Sequence, residues 1–239
     1  MMLTKLFFYE KEVNLKWEVV YFLEKRVDCK ANSFPEEKKH RIFLPQFIIF
    51  DEFDFFLPDI LHQLCRCKLA EKIDPFLFQP IFSKDCSKRE KESLTLITQY
   101  LTKVWINELC HQHFPEIIFL DHQNFFEIFQ ELFKEKSQLF SDQLFFLEVI
   151  LSLSLKIAEE KRYQLKPSVK PLLKAFLPDQ QDLILKISEF LSSLPSLSYE
   201  KEKDLKLFEK SAQKLCEIFE FPVSPYIEEN GGLVWKMKQ

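Results

Sequence analysis

Over residues 87–113, Leu94, Ile97, Leu101, Trp105 and Leu109 return at three- and four-residue steps, and the charges gather in the first turns. That spacing keeps one face of a helix apolar, so it predicts a long amphipathic helix. A second helix is predicted after Asp121, a good N-cap residue type, with Phe125, Phe126, Phe129, Leu132 and Phe133 on one face. A third is predicted from after Ser141 to residue 165; positions 149–155 are apolar or Ser nearly all round, the mark of a central buried helix. Shorter helices are predicted over residues 169–176 and 180–194, and a last long one from a Ser198 cap, with Leu205, Phe208, Ala212, Leu215 and Phe219 as its stripe. In the first half, residues 13–27 and 59–73 read as helices, and Pro58 suits the first turn of the latter. Pro115, Pro167, Pro178, Pro195 and Pro222 each follow a helical stretch, where the missing N–H and the ring clash stop propagation.

Two stretches resist this period. Residues 226–229 and 233–236 flank Asn230-Gly231-Gly232, a hairpin signal. An isolated hairpin is marginal in water, so it is expected to lie on another segment, with residues 6–9 the candidate. Residues 41–58 (RIFLPQFIIFDEFDFFLP) follow neither the helical nor the strand period for long. There is no internal repeat and no Gly/Ser linker. The expected fold is mainly α: an irregular multi-helix bundle of about seven or eight helices with a small C-terminal β-hairpin. Residues 1–239 are expected to form a single helical domain. The proline-broken stretch 74–87 is where it would divide into a smaller N-terminal and a larger C-terminal lobe.

Composition removes several classes of chemistry. The chain has two glycines, Gly231 and Gly232, against 27 phenylalanines. Phosphate loops, dinucleotide fingerprints and nucleophile elbows all need glycine where backbone turns sharply or approaches a ligand, and none is present. The formal charge is −4, and Lys and Arg are interleaved with acids, as in Lys88-Arg89-Glu90-Lys91-Glu92, so no nucleic-acid partner is expected. No uncharged apolar run approaches the roughly 20 residues that cross a bilayer, so no membrane insertion is expected. The N-terminal apolar patch is too short for a secretory core, which makes a cytoplasmic location the expectation. Cys29, Cys65, Cys67, Cys86, Cys110 and Cys216 are scattered through a chain large enough to fold without staples, and are expected to be reduced and buried.

The best metal candidates are Cys110, His111 and His113, with His122 nine residues beyond the last of these. These residue types suit zinc or copper, but residues two apart on a helix diverge by about 200°, so a shared ion requires the helix to have ended. The competing reading is a polar helix end, where His also suits the dipole, and no cofactor is expected. Cys65-Arg66-Cys67 after His62 is a weaker arrangement of the same kind. Glu37–His40 and Glu108–His111 have the spacing of di-iron ligands, but the first pair lies in a charged run that reads as a solvated loop. No Ser or Cys lies in a motif that implies an activated nucleophile, so no catalytic residue is assigned.

The functional signal is hydrophobic. Phe43, Leu44, Phe47, Ile48, Ile49, Phe50, Phe53, Phe55, Phe56 and Leu57 crowd together, more than one amphipathic face can cover. Exposed aromatic surface marks interaction sites, so Phe43, Phe47, Phe50, Phe53, Phe55, Phe56 and Trp235 are the expected docking residues. The competing reading is a segment threaded through the core. The expected function is a non-catalytic cytoplasmic adaptor or scaffold subunit whose partner is another protein subunit or assembly. In size and composition the chain is similar, in general description, to small helical accessory subunits of bacterial secretion machines such as type III sorting-platform adaptors. No residue motif carries that resemblance. Heavy use of Phe, Lys, Ile and Leu suits an AT-rich bacterial genome. The rivals are a metal-dependent enzyme built on Cys110, His111, His113 and His122, and a small-ligand binder with a dry aromatic pocket between helices.

Overall fold

The long periodic stretch folds as read. Ser87 caps helix α3 (Lys88–His113) with a reciprocal pair: its Oγ accepts from the Glu90 N–H at 3.3 Å, and its own N–H donates to Glu90 Oε2 at 2.7 Å. The computed structural model describes residues 2–26, 28–49, 53–75, 80–134, 142–221, 223–227 and 233–237. Before α3 come α1 (Met2–Val13), β1 (Glu18–Glu24), β2 (Lys30–Phe34), β3 (Lys39–Pro45), a 3-10 turn (Gln46–Ile49), α2 (Phe53–Lys72) and β4 (Ile81–Phe82). After it come α4 (Pro115–Lys134), α5 (Gln143–Tyr163), α6 (Lys170–Phe176), α7 (Gln181–Ser193), α8 (Lys201–Ile218), β5 (Val223–Ile227) and β6 (Leu233–Met237). The protein is mainly α, with eight helices among the described residues and a small C-terminal sheet.

Helix α3 packs against α2, α4, α5 and α8, and α5 also packs along α7. Leu94, Ile97, Leu101 and Trp105 of α3 are buried with Leu151, Leu153 and Ile157 of α5 and with Phe208 and Leu215 of α8 in one core. Helix α5 is capped by Asp142, which accepts from the N–H groups of Leu144 and Phe145. Helix α4 starts at Pro115 rather than after Asp121. A proline at the first helical position loses no hydrogen bond, so one residue both ends α3 and opens α4. Asp121 is therefore an inward helix residue, ion-paired with Lys156. The hairpin of β5 and β6 forms as expected, with Ile227 opposite Leu233. It lies against α8 and pairs in parallel with β4, not with residues 6–9, which are helical in α1.

The largest departure from the sequence reading is residues 13–27. They are not a helix: residues 18–24 form β1, one edge of a three-stranded sheet of order β1-β3-β2. The run Val19-Val20-Tyr21-Phe22-Leu23 is β-branched and aromatic, and pairing with β3 decides between two periods that a short apolar run leaves open. Strands β2 and β3 are antiparallel, and β1 runs parallel to β3, Phe22 beside Phe43. The stretch that fitted neither period divides among elements: β3 takes residues 41–45, the 3-10 turn 46–49 and α2 53–58. In β3, His40, Ile42 and Leu44 point to the core while Arg41 and Phe43 point away.

The β2–β3 hairpin has no glycine in its turn. Lys38 takes φ 51 and donates its N–H to the Pro35 carbonyl at 3.3 Å. The same left-handed geometry falls on Gln164 (φ 58) at the end of α5 and on Glu220 (φ 57) after α8. A side chain there costs about 1–2 kcal/mol that glycine would not. Gln164→Gly and Glu220→Gly are therefore each expected to stabilise the fold by about 0.5–1 kcal/mol after the added chain entropy of the unfolded state is subtracted. Urea unfolding checks this; a loss of stability would contradict the strain.

Candidate interaction surface

The β1-β3-β2 sheet has one covered and one open face. Side chains alternate along each strand, so Val19, Tyr21 and Leu23 share a face with His40, Ile42, Leu44, Ala31 and Ser33, the face that packs on α2. The other face carries Val20, Phe22, Phe34, Lys39, Arg41 and Phe43. On it the Phe22 and Phe43 rings stack at 5.3 Å, and the Arg41 guanidinium lies over the Phe34 ring at 4.3 Å. Lys39 reaches Glu18 at 3.3 Å and Arg41 reaches Glu37 at 3.2 Å, both as exposed pairs. Phe22 keeps 40% of its surface exposed and Leu23, on the opposite face, 46%. β1 is a sheet edge, so both side chains lack a neighbouring strand on one side among the described residues.

The sheet is fastened to the bundle by a buried polar clamp. His40 Nδ1 meets Ser33 Oγ at 2.8 Å, His40 Nε2 meets Glu71 Oε1 at 3.1 Å, and the Trp17 ring stacks on the imidazole at 5.0 Å. Glu71 Oε1 also accepts the main-chain N–H groups of Lys16 and Trp17, each at 2.8 Å. Burial alone would raise the Glu71 carboxyl, but the hydrogen bonds from His40, Trp17 and Lys16 outweigh it and hold it below its ordinary range. Ser, His and Glu in one chain of contacts have the composition of a catalytic triad. Here the imidazole is sealed from solvent and Glu71 Oε1 is occupied by backbone, with Oε2 buried beside it, so the cluster acts as a fastening. The expectation that Glu37–His40 forms a solvated loop is corrected accordingly: His40 lies in β3 and is fully buried.

The expected docking residues have different fates. Phe43 is half-buried on the open face, stacked with Phe22. Phe56 is buried in α2, and Trp235 is completely buried in β6, since the hairpin packs its inner face onto the bundle; neither is available to a partner. Phe50 and the side chains of Phe47, Phe53 and Phe55 lie outside the described residues. Phe22 and Leu23 were missed, because residues 13–27 read as a helix. Once those residues are taken as a strand, two adjacent large apolar residues fall on opposite faces, and that would have marked them.

The four metal candidates do not converge. Cys110 is buried beside Cys65, His111 stacks on Tyr163 at 4.3 Å, His113 lies against Phe114, and His122 Nε2 meets the Pro167 carbonyl at 2.8 Å. Glu108 of the second Glu-x-x-His pair is held by Arg162 at 3.2 Å. Among the described residues no three metal-ligating side chains gather. All six cysteines are buried free thiols, and burial pushes the Cys67 and Cys110 thiols upward, away from reactivity. The most charged interior cluster joins three helices: Lys156 of α5 bonds Asp121 of α4 and, at 2.9 Å, Glu159, which also takes the Asn107 amide of α3. Burial alone would raise Asp121, but Lys156 and then His62 outweigh it and hold it at about 2. One surface depression of about 420 Å³ is lined by Arg89, Glu90 and Gln143 together with Leu144, Leu147 and Phe221, and another of about 310 Å³ runs along α8 beside Lys206, Glu209, Lys210 and Pro225. No helix among the described residues is long and apolar enough to cross a membrane.

Glu71→Gln is expected to cost about 1.5–3 kcal/mol at pH 7, the value of charge-assisted hydrogen bonds, as measured by urea unfolding. The sign of the pH dependence follows from the depressed carboxylates. Their contribution is complete above the ordinary values of 4.5 for Glu71 and 3.8 for Asp121. It is lost as pH falls through the folded values, with Asp121 holding out to about 2. The native protein therefore loses stability below about pH 4.5, and Glu71→Gln removes the upper part of that loss. An unchanged acid profile in the variant would contradict the clamp.

Comparison with protein-family models, with curated proteins and with solved structures gives no match for this chain.

Proposed function

We propose that this chain is a non-catalytic docking subunit that binds another protein through the β1 side of its three-stranded sheet. The observation that carries the reading is the pair Phe22 and Leu23: two large apolar side chains, each more than a third exposed, on a sheet edge beside the half-buried Phe43. Soluble proteins scatter single apolar residues over their surfaces, but an aromatic stack next to an unpaired strand is where a partner would gain buried area. Support comes also from what surrounds the patch. The His40–Glu71 and Lys156–Glu159 pairs are buried, and the sheet is clamped to α2, so the surface is presented rigidly. A preorganised surface loses less conformational entropy on binding.

Phe22→Ser and Leu23→Ser are expected to cost about 1–2 kcal/mol of stability, because each residue is part covered and part exposed. The same changes are expected to weaken partner binding by more than about 2 kcal/mol, the threshold of an interface hot spot. The test places a photo-crosslinking residue at Phe22 or Phe43, and at Lys210 on α8 as a control, in cells of the source organism. One discrete adduct at the first two positions, lost in Leu23→Ser, is the expected result. Adducts of equal yield at all three positions, or adducts only between copies of this chain, would overturn the docking reading.

A further inference from the structure

The pairing pattern of β1 specifies more than an apolar patch. In a parallel pair, alternate residues send both N–H and C=O to the same neighbour. Glu18 donates its N–H to the Lys38 carbonyl on the β3 side at 3.0 Å, so Glu18, Val20, Phe22 and Glu24 face β3. Val19, Tyr21 and Leu23 therefore turn their main-chain donors and acceptors to the open edge. Edge strands are ordinarily protected by Pro, by Lys, by shortness or by a covering element. The other edges here have such devices: β5 carries Pro225 and packs on α8, β4 is two residues long, and β2 begins at Lys30 and packs on α2. The seven residues of β1, Glu-Val-Val-Tyr-Phe-Leu-Glu, contain neither Pro nor Lys.

Resting on the docking reading above, we infer that the occupant is an extended segment of another protein that adds to the sheet as a strand beside β1, with an apolar centre and a Lys or Arg at each end. Exposure on both faces argues for a strand: Phe22 and Leu23 project to opposite sides, and an added strand covers both, whereas a partner resting on the open face covers Phe22 alone. Charge selects what kind of strand. Glu18 and Glu24 bracket the apolar run with side chains 60% and 48% exposed. Glu18 meets Lys39 at 3.3 Å in an exposed pair, and Glu24 meets Arg26 only at 3.7 Å because Arg26 is held by Asp28 at 2.9 Å, so both acids keep acceptor capacity. A second copy paired two-fold about Tyr21 would set Glu18 against Glu24 twice and Lys16 against Arg26, so in that register like charges oppose one another. Basic ends six positions apart match the acids whichever direction the added strand runs.

The test uses the full chain and two synthetic peptides, Lys-Val-Thr-Ile-Thr-Val-Lys and its Glu-ended counterpart, with binding followed by fluorescence anisotropy and amide exchange by NMR. The Lys-ended peptide is expected to bind at least tenfold more tightly, to slow exchange at Val19, Tyr21 and Leu23, and to lose binding when alternate backbone nitrogens on one edge are methylated. In the doubly substituted E18K/E24K chain the preference should reverse. Equal binding of the two peptides, no binding of either, or binding that leaves those three amides unprotected would overturn strand addition. A chain that dimerises alone with the same amides protected would assign the edge to a second copy and overturn it as well. If the peptides fail while the crosslinks at Phe22 and Phe43 persist, docking stands and strand addition falls; if both fail, both fall.

Discussion

Glu71, one residue from the end of α2, is the group on which the position of the sheet depends. Its Oε1 takes two main-chain N–H groups from the segment that leads into β1 and one contact from His40 near the start of β3. A carboxylate buried this deeply is stable only because so many donors converge on it. The consequence is geometric. Lys16 and Trp17 are fixed just before β1 starts, so the direction of β1 and the set of backbone groups it turns outward are fixed too. Without the clamp, the β2–β3 hairpin would be a marginal unit, since two strands alone bury too little.

A second polar knot aligns the helices. Lys156 sits between Asp121 and Glu159, and Asn107 completes the set, so α3, α4 and α5 are tied where their apolar faces would otherwise permit sliding. Breaking such a buried pair leaves an uncompensated charge worth about 3–5 kcal/mol, far more than the intact pair contributes. Both knots put polar chemistry inside, while large apolar side chains meet solvent on α1 (Phe7, Phe8) and α4 (Phe119, Leu120, Ile128) as well as on β1 (Phe22, Leu23).

Much of the helical bundle was legible in the chain. Ser87 with Glu90 is a complete capping signature, and the stripe from Leu94 to Leu109 is the buried face of α3. Residues 180–194 became α7 within a residue at each end, and Asn230-Gly231-Gly232 marked the turn between β5 and β6. Legibility failed where the signal was carried by contacts distant in sequence. Asp121 resembles a cap because its residue type caps helices, but its partner is 35 residues away on α5. The β2–β3 turn was hidden because Lys38 holds a backbone geometry that the sequence reading looks for in glycine. Of the expected docking residues, Phe43 lies on the open face, whereas Trp235 is buried in the core, because β6 is the central strand of its sheet and the hairpin packs on the bundle.

What the sequence determined by itself is local: helices whose period is repeated over several turns, the residues that begin and end them, and the lack of glycine loops for phosphate chemistry. Tertiary structure alone decided whether Val19 to Leu23 would be helix or strand, which edge would be left unpaired, and which of many phenylalanines would meet solvent. The physical reason is that a helix satisfies its own backbone within four residues, so its signal is written in neighbouring positions. A strand is satisfied only by another strand, and for β1 that partner begins at Lys39, beyond a hairpin whose turn the sequence does not announce.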